Sequence, residues 1–182
     1  MSSKPRNIIP KNFYHIYNRG ASKQKIFHAD NDYRYFLEKT LFYRDKFKIK
    51  ILAYCILPNH WHFLLQEPDD PTGQASNISV FISTLSNSYT KYYNFTKSHS
   101  GRIFEGPFKS KHVNSDNYLY VLVNYINLNH VKHKISNKDE WDYTSYNEYS
   151  YKTHTGLIEG HLVDFKVSID DISCLKNINE EF

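Results

Sequence analysis

Apolar and polar residues alternate along this chain in two periods, and the switches between them lay out its elements. Residues 1–11 are polar, contain two prolines and read as a loose lead-in. Phe13–Asn18 reads as a first strand that ends at the turn signal Asn18-Arg19-Gly20. Beyond Asp30 or Asn31, either of which suits a helix N-cap, Tyr33, Phe36, Leu37 and Leu41 form one apolar stripe at helical period. The run KIKILAYCIL, from Lys48 to Leu57, is rich in strand formers and breaks at Pro58-Asn59; HWHFLLQ, from His60 to Gln66, then resumes. Two such runs around a Pro-Asn turn predict a hairpin, with one bulged continuous strand as the alternative. Glu67–Gln74 is a loop.

A second helix starts near Ser76 or Asn77 and carries Ile78, Phe81, Ile82, Leu85, Tyr89, Tyr92 and Tyr93 on one face. The basic stretch Ser98–Lys111 contains a short strand near Phe108. A third helix, capped near Asn114 or Ser115, runs to about His130. From Lys132 on the chain is polar and tyrosine-rich, with one more apolar cluster at Leu157–Val167. Strand, helix, two strands, helix, strand, helix is an α+β pattern, suited to an antiparallel sheet with helices packed on one face.

Composition narrows this reading in a few places. The 182 residues suffice for one ordinary domain with its own core. The formal net charge of +4 and a pI near 8.8 permit a nucleic-acid partner without demanding one. Sixteen tyrosines and 12 phenylalanines raise the aromatic share to 16%, which suits either a ring-rich core or a surface that stacks bases. The two cysteines, Cys55 and Cys174, are far apart and have neither metal-binding nor redox spacing, which points to a reducing setting. No N-terminal apolar core of a signal peptide occurs, nor any run near the roughly 20 apolar residues of a membrane span, so a cytoplasmic protein is expected.

Two segments carry candidate chemistry. On a strand, His60 and His62 share one face while Trp61 and Phe63 point the other way. Two imidazoles on a rigid face make a half-site for a divalent metal, or are simply two polar residues near a turn. A zinc hydrolase would need a further conventional ligand set, and no HExxH helix is present. On the third helix, Leu119, Leu122, Val123 and Ile126 form the apolar stripe, and Tyr125 and Asn129 lie one turn apart. A phenol beside an amide is either a nucleophile next to a ligand oxygen or a tyrosine hydrogen-bonded to an asparagine. Tyr120 has the same relation to Asn124, whereas Tyr118 is followed one turn later by Leu122.

Five blocks in order resemble the single-tyrosine HUH transposases, in particular the REP-associated tyrosine transposases and their insertion-sequence relatives. They are FYHIYNRG at 13–20, LPNHWHFLLQ at 57–66, FISTLSNSYTKYYN at 81–94, FEGPFKSKHV at 104–113 and YLYVLVNYINLN at 118–129. The resemblance covers roughly residues 12 to 150, which would form the HUH transposase domain, with 151–182 as a C-terminal extension. It implies a ferredoxin-like fold of the HUH endonuclease type, His60, His62 and Asn129 as ligands of Mg²⁺ or Mn²⁺, and Tyr125 as nucleophile. The implied activity is that of a metal-dependent transposase that cleaves and rejoins single-stranded DNA next to a hairpin, through a 5′-phosphotyrosine intermediate. A hairpin-DNA-binding regulator with the same fold and no catalysis is the alternative. The family spacing between histidines and tyrosine favours Tyr125 over Tyr120.

Two positions depart from the family pattern. His130 stands where many relatives have proline, and Pro107 where many have arginine; neither removes a group from the proposed centre. Arg19, Lys23, Lys25, Arg102, Lys109 and Lys111 are candidates for phosphate contacts, which supply salt-sensitive affinity without reading sequence. The segment WDYTSYNEY, from Trp141, resembles one seen near the end of related transposases, and would lie against the sheet or over the site. His154, His161 and Asp164 read as ordinary polar residues. A monomer acting in cis and a homodimer sharing its tyrosines are both compatible with the family.

Overall fold

The period-two alternation of FYHIYNR and HWHFLLQ is realised as two paired strands at the centre of a sheet. The computed structural model describes residues 7–69, 75–137, 140–150 and 155–158. Its elements are β1 (Phe13–Arg19), α1 (Asp30–Phe47), β2 (Lys50–Leu57), β3 (His60–Gln66), α2 (Asn77–Thr96), β4 (Lys109–Val113), α3 (Asp116–Asn127), α4 (Asn129–Lys132) and α5 (Tyr146–Tyr149). The strands form one antiparallel sheet in the order β2-β3-β1-β4, the ferredoxin-like arrangement expected. Leu57 pairs directly with His60, so Pro58 and Asn59 form a two-residue turn and the hairpin alternative is the one adopted. Part of the Glu67–Gln74 loop, most of the lead-in, and His154, His161, Asp164 and nearly all of the Leu157–Val167 cluster lie outside the described residues.

Helices cover both faces of the sheet, where one was expected. Tyr14 and Ile16 of β1, Ile51, Tyr54 and Ile56 of β2, and Trp61, Phe63 and Leu65 of β3 pack with α1 and α2 in one core. Leu52, Ala53, Cys55, Leu57 and Leu64 face the other way and are closed by Leu119, Leu122, Val123, Tyr125 and Ile126 of α3. The cause is that β2 is apolar on both sides, with Ile51, Tyr54 and Ile56 on one face and Leu52, Cys55 and Leu57 on the other, and neither face tolerates water. Much of the aromatic excess is spent in the first core: the Phe27 ring lies 4.8 Å from Tyr89 and 5.2 Å from Phe36. Among the described residues no helix is long and apolar enough to cross a membrane.

The helix starts mix expected and unexpected caps. Ser76 accepts from Ser79 N at 3.1 Å and Ser115 from Tyr118 N at 3.3 Å, as their residue types predict. At α1 neither Asp30 nor Asn31 is the cap: the buried Asp32 carboxylate reaches back to the His28 and Ala29 amides at 2.8 and 3.1 Å. That is the return half of a capping box, which needs an acid at the third helical position rather than at the cap itself.

The third helix ends at Asn127, short of the expected His130, and a single turn, α4, follows after Leu128. Side chains from the tail cause the break. The Thr144 hydroxyl donates to the Asn127 carbonyl at 3.1 Å, and Val131 N turns instead to Leu128 O at 3.0 Å. The tail is held in turn by β2: Ile56 N donates to Tyr143 O at 2.8 Å, Ser145 N to Tyr54 O at 2.9 Å, and the Trp141 indole to Ile56 O at 2.9 Å. WDYTSYNEY therefore lies along the β2 edge of the sheet, where it satisfies backbone groups that an open edge would leave exposed.

Thr144→Val removes this hydroxyl at nearly constant volume and should lower stability by about 1 kcal/mol in urea unfolding. Thr144→Ser should retain most of it. Equal stability of Thr144→Val and the native chain would show that Leu128 bends for another reason.

Candidate active site

Strand register decides which side chains meet. His60 pairs with Arg19 and His62 with Tyr17, while His15 lies opposite Leu64 on one side and Lys111 on the other. Residues paired across strands share a face, so His15, Tyr17, Arg19, His60, His62, Lys109 and Lys111 all belong to the face covered by α3. Trp61 and Phe63 point into the opposite core, as the alternation predicts.

Each of the two predicted histidines is fixed through one ring nitrogen. His60 Nδ1 lies 2.7 Å from Asn59 Oδ1, and the Asn59 amide is oriented by donating from Nδ2 to Lys23 O at 3.2 Å. Since Oδ1 can only accept, the His60 proton sits on Nδ1, which leaves Nε2 as the basic nitrogen. His62 Nδ1 lies 3.0 Å from His15 Nε2. The His60 and His62 rings stand almost perpendicular, 5.1 Å apart. Burial drives the His60 imidazole down to about 3, helped by His133 and opposed by a hydrogen bond with the Asn129 amide. His15 is likewise down at about 3, through burial and then Lys111. Burial, with His60 next, holds His62 well below the ordinary histidine value. All three rings are therefore neutral at ordinary pH, the state in which an imidazole can ligate a metal.

Tyr125 stands over this cluster from α3, fully buried. Its ring meets His62 and His15 edge-on, at 6.1 and 6.2 Å between centroids. Lys132 donates to the phenolic oxygen at 3.3 Å and its ammonium lies 4.6 Å from the ring centroid. Desolvation there pulls the Lys132 pKa below the usual lysine value. Tyr120 is 47% exposed, outside the buried cluster. Asn129, at the start of α4, is buried and reaches His60 across the break in the helix.

The structure thus brings together His60, His62, Tyr125 and Asn129. Among the described residues no group of three His, Cys, Asp or Glu side chains converges as a metal site. A cation here would take two imidazole nitrogens and one amide oxygen, a mixed and uncharged set compatible with Mn²⁺ or Mg²⁺ and unlike a closed zinc site. Sequence reading missed His15, Tyr17, Asn59, Lys132 and His133. The signal for His15 was present, a histidine amid the otherwise apolar FYHIY, but strand register was needed to connect it to His62.

The predicted basic residues separate. Lys109 and Lys111 line the site's face on β4, with the Lys109 ammonium 6.0 Å from the centre of the Tyr17 ring. Arg19 is engaged by Glu105, to which Nη2 donates at 2.9 Å. Lys23 and Lys25 are exposed on the loop beside the hairpin turn. Arg102 lines a separate groove on the opposite side of the sheet, about 460 Å³, with Ser83, Ser86, Asn87 and Thr90 of α2.

Comparison with known proteins identifies the family and the fold. A family model described as Transposase IS200 like matches residues 9–138. No curated protein matches the chain. Among solved structures it is similar to a REP-associated tyrosine transposase bound to a REP hairpin, at 17% identity and TM-score 0.64, covering 92% of this chain and 96% of that one. A putative transposase from Deinococcus radiodurans R1 aligns at 13% identity and TM-score 0.45, over 75% of this chain and 98% of the other.

The lowered histidines make stability depend on pH. In the unfolded chain each takes up a proton near pH 6.5, whereas in the native protein it stays neutral to far lower pH. The unfolded state therefore binds more protons below about 6.5, and native stability falls as pH falls, by up to ~1.4 kcal/mol per pH unit for each histidine. The melting temperature should drop between about pH 7 and about pH 5, and less steeply in His60→Gln. A melting temperature constant over that range would contradict the burial of neutral imidazoles.

Proposed function

The chain belongs to the IS200-like transposase family, and from that premise we propose that it cleaves and rejoins single-stranded DNA beside a hairpin, with Tyr125 as nucleophile. The observation that carries this reading is the edge-on contact between Tyr125 and His62, within a cluster that also holds His60 and Asn129. Within one chain Tyr125 meets His62, which supports cleavage in cis. A hairpin as the bound DNA is suggested by the relative solved with a REP hairpin.

The phenolic oxygen attacks phosphorus, and the bond from phosphorus to the 3′ oxygen breaks. The products are a 5′-phosphotyrosyl link and a free 3′-hydroxyl, and the retained ester lets the strand be rejoined elsewhere without ATP. Lys132 donates to the oxygen on which negative charge gathers as the phenol gives up its proton. Because Tyr125 is buried beneath Lys132, an incoming phosphate oxygen would share that ammonium, which has three N–H donors, with the phenolic oxygen. A divalent cation, Mg²⁺ or Mn²⁺, held by His60, His62 and Asn129 would polarise the scissile phosphodiester and offset its developing charge. Lys109 and Lys111 flank the same face and suit the approaching backbone; Arg19, Lys23, Lys25 and Arg102 would add contacts farther out.

The burial of Tyr125 also favours a second reading, a hairpin-binding regulator that does not cut. An adduct assay separates the two. Tyr125→Phe should abolish the covalent protein–oligonucleotide product, by several orders of magnitude, while leaving hairpin affinity within about twofold of native, because the ring still packs. Tyr120→Phe should form adduct normally. Adduct from Tyr125→Phe, or none from the native chain with Mg²⁺ and Mn²⁺, would overturn the nucleophile assignment or the catalytic reading respectively.

Asn129→Ala should shift the Mg²⁺ dependence of adduct formation to higher concentration by about tenfold or more, with much of the rate recovered at high Mn²⁺. Asn129→Asp should keep metal binding and alter metal preference. An Mg²⁺ titration curve for Asn129→Ala that overlays the native one would leave Asn129 a purely structural residue.

A further inference from the structure

His15 is a buried imidazole that neither the nucleophile nor the proposed ligand set uses. Its Nε2 lies 3.0 Å from Nδ1 of His62, and the two rings are nearly parallel, with 5.2 Å between centroids and 23° between their planes. The Tyr17 ring on the same strand lies against His15 at 4.9 Å, tilted by 34°, and the Tyr125 ring meets its edge at 6.2 Å. The ring is 2% exposed, so water does not compete for its nitrogens.

Two neutral imidazoles in this contact share one hydrogen, in one of two ways. If His15 donates from Nε2, His62 accepts on Nδ1 and must carry its own proton on Nε2, where it has no lone pair left for a cation. If His62 donates from Nδ1, His15 accepts on Nε2 and carries its proton on Nδ1, and Nε2 of His62 stays open. His60 already shows the second pattern, with Asn59 Oδ1 as acceptor behind its Nδ1. His15 Nδ1 has no hydrogen-bond partner among the described residues, so nothing on its far side forces the donor form.

We propose that His15 is a positioning residue whose Nε2 accepts the Nδ1 proton of His62, fixing that ring with Nε2 presented to a divalent cation. This rests on the reading of His60 and His62 as ligands. A carboxylate behind His62 would do the same with more force, but would add a buried negative charge next to an incoming phosphodiester. A neutral histidine orients the ligand without that repulsion.

The test uses the whole chain and two readouts other than turnover. Long-range ¹H–¹⁵N correlation of the imidazoles at saturating Mg²⁺ should find both His15 and His62 protonated on Nδ1. Mn²⁺ affinity, followed by electron paramagnetic resonance, should weaken about tenfold to a hundredfold in His15→Phe, which keeps the ring and loses the acceptor. His15→Gln places an amide oxygen near the position of Nε2 and should restore affinity to near native. A His62 protonated on Nε2, native Mn²⁺ affinity in His15→Phe, or equal loss in His15→Phe and His15→Gln would each overturn the role of His15. His60→Ala and His62→Ala report on the ligand reading separately. If both retain native Mn²⁺ affinity, that reading fails, whereas their loss beside an unaffected His15→Phe sinks only the present proposal.

Discussion

Successive side chains on a strand face opposite ways, and on β3 this alternation sends Trp61, Phe63 and Leu65 into one core and His60, His62 and Leu64 toward the other. The site depends on that constraint. Leu57 pairs with His60 across a turn of two residues, so insertion of one residue there would exchange the two faces. The indole and phenyl rings then anchor the strand from behind, and the imidazoles need no mobile loop to hold them. The central position of β3, between β2 and β1, supplies neighbours on both sides: Cys55 and Tyr17 opposite His62, Leu57 and Arg19 opposite His60.

Burial of this cluster is compatible with folding because its members are uncharged. Three imidazoles kept neutral by desolvation, one phenol and the amide of Asn129 bring polar atoms into the α3 face without an ionised acid among them. Buried carboxylates would bind a divalent ion more strongly, but would need the ion present to be tolerated. On the proposed reading, a neutral donor set also leaves the full charge of the cation for the phosphodiester, and Lys109, Lys111 and Lys132 add charge of the same sign around it. The arrangement favours affinity for DNA and metal together over affinity for metal alone.

The local parts of this structure were legible in the residues. Strand alternation at 60–66, the Pro-Asn hairpin, the Ser76 and Ser115 caps and the apolar stripe of α3 follow from periods and residue types over a few positions. Contacts made over long sequence separations were not. Thr144 bending the helix at Asn127, 17 residues earlier, leaves no local mark, because the sequence from Asn124 to Lys132 has no Pro or Gly to announce a break. His15 meeting His62 over 47 residues needs the register of β1 on β3, which periodicity does not set. The helix on the second face does have a local mark: KIKILAYCIL is apolar at nearly every position after Lys50, as a strand buried on both sides is.

The break after Asn127 links the tail to the chemistry. A straight continuation of α3 would keep Asn129 on the same stripe as Tyr125, one turn farther along the axis. With the Asn127 carbonyl taken by Thr144, the chain turns at Leu128 and starts again, and Asn129 reaches His60 while Lys132 folds back onto the Tyr125 hydroxyl. Thr144 is itself fixed by bridging to Cys55 on β2, whose other neighbour is His62 on β3. The proposed nucleophile, its covering lysine and the third ligand are therefore located by the sheet edge at β2 as much as by their own helix. A change in the segment 141–145 would be felt at Asn129 and Lys132 before it reached the histidines, which are held separately by the β1–β3 register.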